Sequence, residues 1–155
     1  MKRIILAILI ITTALFFVAC SGPREVLTAQ EFTSHMEGAG HIVEDFTHEF
    51  DDAPPGVDVR TFLVADTGGF DVDFFVFETD QAARAFHNII RRELEDSRGR
   101  TSSHREVNLA NFNRLTQTTD GRFEALVRVE NTAILIATTT QNKADAQAVL
   151  DLLGY

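Results

Sequence analysis

Hydrophobic positions along this chain follow three rhythms. The first is an unbroken run: residues 4–19 carry no charge, and Thr12 and Thr13 are their only polar members. The second has a helical period. Phe32, Met36 and Ala39 fall near one face after Thr28, Ala82, Phe86, Ile89, Ile90 and Leu94 make a stripe after Thr79, and Ala146, Val149, Leu150 and Leu153 repeat it near the end. The third is strand-like alternation, and it occupies residues 57–65, 70–77, 104–109, 112–118, 123–129 and 132–139.

The boundaries between these rhythms carry their own signals. Thr28 and Glu31 have the spacing of a capping box, and Leu27 with Phe32 that of a hydrophobic staple. Gly38 and Gly40 close that helix, and residues 41–45 read as a short strand. Asp51, Asp52, Pro54, Pro55 and Gly56 make an acidic loop that neither a helix nor a central strand can cross. Thr67, Gly68 and Gly69 turn one strand into the next. Asp120-Gly121 and Glu130-Asn131 do the same later in the chain. Gly154 stands where a left-handed residue ends the last helix, so Tyr155 can fold back on its final turn.

Side-chain patterning then places the faces. Leu63 and Ala65 alternate with Phe62 and Val64, and Val72, Phe74 and Val76 with Phe75 and Phe77. Strands apolar on both faces sit inside a sheet with cover on each side. Phe123, Ala125, Val127 and Val129 alternate instead with Glu124, Arg128 and Glu130, which predicts one wet face. Arg84, Arg91, Arg92 and Glu95 are expected on the wet side of the second helix. The fold class that follows is α+β, an antiparallel sheet with helices packed on one face, in the order α-βββ-α-ββββ-α. Each half is a helix followed by strands, which hints at a pseudo-repeat.

The opening run changes the picture most. Lys2 and Arg3 precede it, and Cys20, Ser21, Gly22 and Pro23 end it. A basic start, an apolar middle and a small-residue end describe a secretory signal peptide. The run falls short of the roughly 20 apolar residues of a spanning helix. Phe17-Val18-Ala19-Cys20 resembles a bacterial lipobox, which implies cleavage before Cys20 after its thiol is diacylated; Phe17 departs from the Leu usual at that place. An ordinary signal peptide with an incidental cysteine, or an uncleaved anchor, is the alternative. Two acyl chains of the palmitate kind give stable anchoring where one does not. Cys20 is the single cysteine, so no disulfide can form within the chain and lipidation accounts for the odd thiol. The expected organisation is a signal peptide over 1–19, the lipidated Cys20 and a short tether over 20–26, and a single α+β domain over 27–155.

Charge narrows the partners. Removing the leader from 155 residues leaves 136, with 12 basic residues against 23 acidic and a net charge of −11. Such a chain has no basic stripe for nucleic acid. Anionic headgroups repel it, so attachment to the bilayer falls to the acyl chains on Cys20.

Candidate chemistry is sparse. Asp71 and Asp73 put two carboxylates on one strand face, too few for a calcium site, and are expected to be solvated. His35, His41 and His48 lie near Glu44, Asp45 and Glu49, but their spacing matches no zinc ligand pattern, so no metal is expected. No serine-nucleophile motif occurs. No catalytic residue and no cofactor are assigned, and the chain is read as a non-enzyme. One feature stands out, the aromatic load of the sheet. Phe62, Phe75 and Phe77 share a face, and were that face open they would form a ligand or partner surface. Cover by a helix or by the long loop is the favoured alternative.

Several stretches together resemble small, uncharacterised lipoproteins of Gram-positive bacteria. They are the lipobox, the helix start over 27–32, residues 74–79 running into an Ala-rich helix, residues 118–123, residues 128–132 and the terminal Leu153-Gly154-Tyr155. The resemblance implies a fold and an address and no mechanism. The resulting expectation is a lipid-anchored protein on the extracytoplasmic face of the cell membrane. Its domain would act as an interaction or accessory module for an envelope protein partner. The alternative is a binder of a small apolar ligand or a metal ion.

Overall fold

The computed structural model describes residues 24–50, 58–97, 99 and 102–155. Helix α1 is Ala29–Gly38, followed by strand β1 at Ile42–Asp45 and a 3-10 turn at Thr47–Phe50. Strands β2 (Val59–Asp66) and β3 (Asp71–Phe77) lead to helix α2 (Asp80–Asp96). Strands β4 (Ser103–Asn108), β5 (Phe112–Thr119), β6 (Arg122–Val129) and β7 (Thr132–Thr139) come next, then a 3-10 turn at Thr140–Asn142 and helix α3 (Lys143–Leu152). The fold is α+β, in the order the sequence patterning predicts. The acidic loop with Pro54 and Pro55, the leader and Cys20 lie outside the described residues.

All seven strands form one antiparallel sheet in the order β1-β2-β3-β7-β6-β5-β4. Two meanders, β1-β2-β3 and β4-β5-β6-β7, meet where β3 pairs with β7, with Phe74 opposite Ile134. Local chemistry sets the ends of the elements. Thr28 and Glu31 close the capping box, with Glu31 N–H donating to Thr28 Oγ1 at 3.2 Å and Thr28 N–H to Glu31 Oε2 at 2.8 Å. Thr79 Oγ1 accepts from Ala82 N–H at 3.1 Å at the start of α2. Asp120 and Gly121 have φ of 48° and 83°, the left-handed pair that a tight hairpin between twisted strands requires.

The sheet buries both faces. On one, α1 and α3 share a core with Leu63, Val72, Phe74, Ala125, Val127, Ile134 and Ile136, in which Phe32 stacks on Phe74 at 4.6 Å. Tyr155 closes this side. Its N–H donates to Leu150 O at 2.8 Å, and its buried hydroxyl meets Thr132 Oγ1 at 2.5 Å. Gly154 permits that reversal with φ 75°. On the other face α2 and the first 3-10 turn cover Phe62, Phe75, Phe77, Leu115, Leu126 and Ala133. The one-face arrangement therefore holds for α1 and α3, while α2 takes the opposite side, where the doubly apolar strands need cover. A repeat built about the β3–β7 pair would keep α1 and α2 on one face, so the pseudo-repeat does not extend to the helices.

Two local expectations are corrected. Ile89 is exposed, and the buried side of α2 is Ala82, Ala83, Phe86, His87 and Leu94, a stripe turned toward His87. In α1, Ala39 is the exposed C-cap, and Phe32 and Met36 alone are buried. Both shifts follow from where the helix meets the sheet, which the helical period leaves open by about one position.

Candidate functional site

Phe62, Phe75 and Phe77 are core residues. Phe62 and Phe75 stack at 4.5 Å, and Phe86 of α2 closes over Phe75 and Phe77 at 4.7 and 5.1 Å. Phe50 stands edge-on to Phe62 and Phe75 at 5.2 and 5.8 Å. Protein rings occupy the room an apolar ligand would need among them, so this face is not open.

The acidic and histidine candidates are scattered. Among the described residues no group of three or more His, Cys, Asp or Glu could hold a metal ion, and His35 and His48 are exposed on separate elements. Asp71 is solvated as the alternation predicts, but Asp73 is half-buried. Burial, and then the neighbouring Asp71 charge, push the Asp73 carboxyl up to about 6. It lines a shallow hollow of about 520 Å³ with Phe70, Arg122 and Thr139.

The polar chemistry of this molecule sits under α2, where the sequence predicts a wet strand face. Strand β6 is buried along both faces, because β5 and β7 flank it and α2 lies across it. Its Arg128 is fully buried. Arg128 Nε donates to Asn113 Oδ1 at 2.6 Å, and Nη1 donates to Glu130 O at 2.7 Å and to Asp80 Oδ1 on α2. Nη2 donates to Ala110 O at 3.3 Å. Asn113 is the cross-strand partner of Arg128, and Gln117 is that of Glu124. Gln117 Nε2 donates to Glu124 Oε2 at 2.7 Å and to Leu94 O at 3.0 Å. Buried polar groups need partners of this kind. The sequence signal that could have found the network is this pairing of complementary polar residues on facing strands.

Beside the network lies a small polar hollow between α2 and the β4–β5 hairpin. Its volume is about 100 Å³, and Arg84, His87, Asn88, Arg91, Asn108 and Asn113 line it. His87, with 4% of its surface exposed, has no hydrogen-bond partner at Nε2. Burial first, then the Arg128 and Arg91 charges, push its imidazole down to about 4, so it is neutral at pH 7. Arg84 Nε pairs with Asp80 at 2.7 Å, and Arg91 Nη1 with Glu95 at 2.6 Å, each one helical turn apart. Asn113 Nδ2 donates to Asn108 Oδ1 across the hairpin. Nothing in the sequence pattern marks this hollow, because Arg84 and Arg91 have the spacing of ordinary wet residues and His87 falls outside the expected stripe.

No family model matches the chain, and no curated protein matches it in sequence. Among solved structures, the chain is similar to a GTP binding regulator from Thermotoga maritima at 14% identity and a TM-score of 0.47, over 82% of this chain and 87% of that one.

Proposed function

We propose that this chain is a lipoprotein, held on the extracytoplasmic face of the cell membrane by a diacylated Cys20, whose domain serves as a non-catalytic binding module for an envelope partner. The observation that carries the reading is the leader: Lys2 and Arg3, the uncharged run to Ala19, and Val18-Ala19-Cys20 at its end.

The geometry next to Cys20 is compatible with it. Arg24 is already docked, its Nη1 donating to Gly154 O at 2.7 Å and its guanidinium lying 4.1 Å over the Phe112 ring. Val26 packs against the α1–α3 core, so residues 24–26, expected as tether, lie on the domain. At about 3.3–3.6 Å per residue, the four steps from Cys20 to Arg24 span roughly 14 Å at most. An acylated Cys20 therefore holds the end bearing Arg24, Phe112 and Gly154 close to the headgroups.

The test is mass spectrometry of the native product together with membrane fractionation. The expected N-terminus is a diacylglyceryl Cys20, and Cys20→Ala is expected to leave the lipid-labelled membrane fraction. A full-length, unmodified terminus overturns the reading.

A further inference from the structure

We infer that the polar hollow between α2 and the β4–β5 hairpin is a binding site for a small tetrahedral oxyanion, of the class of inorganic phosphate or sulfate, held by Arg84, Arg91, His87 and Asn88. Three observations support this, and none depends on the lipid anchor.

The first is the orphan nitrogen. His87 is buried, and its Nε2 has no partner, although a buried polar atom left so is destabilising. Its neighbours in the hollow are cations and amides, so a ligand that accepts hydrogen bonds suits it. A neutral imidazole with hydrogen on Nε2 donates to an oxyanion.

The second is the balance of charge. Arg84, Arg91 and Arg128 converge on this part of α2, and the carboxylates paired with them are Asp80, shared by Arg84 and Arg128, and Glu95 on Arg91. Glu106, which shares this sheet face on β4, is turned to His104 at 3.7 Å. Glu130 adds a third carboxylate near Arg128, but the hollow itself is lined by Arg84 and Arg91 and by no acidic residue. An anion suits such a lining.

The third is donor supply and size. Each guanidinium has five N–H donors. Arg84 spends two, on Asp80 and Ala110 O, and Arg91 spends one, on Glu95. Arg84, Arg91 and Asn88 line a space of about 100 Å³. A hollow of this size admits a few waters or a small tetrahedral ion. Asn113, pinned by Arg128, holds Asn108 and so fixes the hairpin side of the hollow.

The experiment uses the full chain in non-ionic detergent at pH 7 and constant ionic strength. Inorganic phosphate is titrated while the ring nitrogens of the five histidines are followed by NMR, with His87→Gln assigning the His87 signals. A saturable shift at His87, absent from the other four, is expected. Arg91→Gln, at a half-exposed position, is expected to keep the fold and weaken phosphate by about tenfold or more, the loss of one charge-assisted contact. Sulfate should compete and acetate should not. Glycerol 1-phosphate separates the sources: binding equal to phosphate assigns the terminal group of an ester, and weaker binding assigns the free ion. No saturable shift, or an equal shift in all histidines, overturns the proposal because waters alone then fill the hollow, and acetate binding as tightly as phosphate overturns it because the site then has no preference for a tetrahedral ion.

Discussion

At the scale of the residue, two buried titratable groups oppose each other. The Asp73 carboxyl, pushed up to about 6 by burial and by Asp71, holds a proton that the unfolded chain releases near 3.8. The folded state binds more protons between these values, so the contribution of Asp73 to stability falls as pH rises from about 4 to 6. His87, pushed down to about 4 from 6.5, refuses a proton the unfolded chain accepts, so its contribution rises across that range. The two slopes partly cancel in the wild type. Asp73→Asn is expected to tilt the stability profile upward with pH between 4 and 6, by as much as about 1.4 kcal/mol per pH unit. Urea unfolding at several pH values reads this, and a profile parallel to wild type refutes it. Arg128 makes a different prediction. It is fully buried with every nitrogen engaged, and Arg128→Ala leaves Asn113 Oδ1 and the Glu130 carbonyl without this donor, while Ala110 O keeps Arg84. The expected loss is about 1–3 kcal/mol in the same assay, the cost of leaving buried acceptors unsatisfied, since Asp80 is half exposed and keeps Arg84. A loss below about 1 kcal/mol would mean the network is replaceable by solvent.

At the scale of the element, α2 does two jobs at once. Its N-terminal half places Phe86 on Phe75 and Phe77, which fixes the helix against β3. The same face, a residue further on, presents His87 to the polar strip of β5 and β6. Phe86→Ala opens a cavity in a stacked cluster and is expected to cost about 3–5 kcal/mol. The His87 NMR signals should also move toward those of a solvated imidazole, since the helix loses the contact that seats it. Stability falling while those signals stay fixed would separate the two jobs.

At the scale of the whole molecule, the segment at Arg24 meets the last residues. Arg24 rests on Gly154 and Phe112, and Tyr155 reaches Thr132 in the middle of the sheet. Tyr155→Ala is expected to cost about 3–5 kcal/mol as a large-to-small core change. Tyr155→Phe is expected to cost less, about 1–2 kcal/mol, because Thr132 Oγ1 retains its bond to Val129 O at 2.8 Å while the Leu27 backbone loses its bond to the hydroxyl. Thermal or urea unfolding of the pair distinguishes ring burial from the hydroxyl contact.

Much of this architecture was legible along the chain. The capping box at Thr28, the turns at Gly68, Asp120 and Glu130, the doubly apolar β2 and β3, and the return of Tyr155 are each set by residues within a few positions of one another. Local physics decides them: a cap satisfies a neighbouring N–H, and a left-handed residue turns the chain wherever it stands. The proposed leader rests on the same kind of signal, a continuous stretch of sequence read without any partner. The candidate site was not legible. Glu124 and Arg128 have the alternation of a wet face, and only the neighbours of β6 in the sheet, with α2 above it, bury them. The three phenylalanines share a face as their spacing says, but α2 and Phe50 cover it, and spacing within one strand carries nothing about what lies on top. The sequence alone determined the elements, their order and the lipobox-like start, because these rest on short-range periodicity and turn chemistry. Tertiary structure alone decided which faces are dry and brought Arg84, His87 and Arg91 beside the β4–β5 hairpin, because burial is a property of long-range contact.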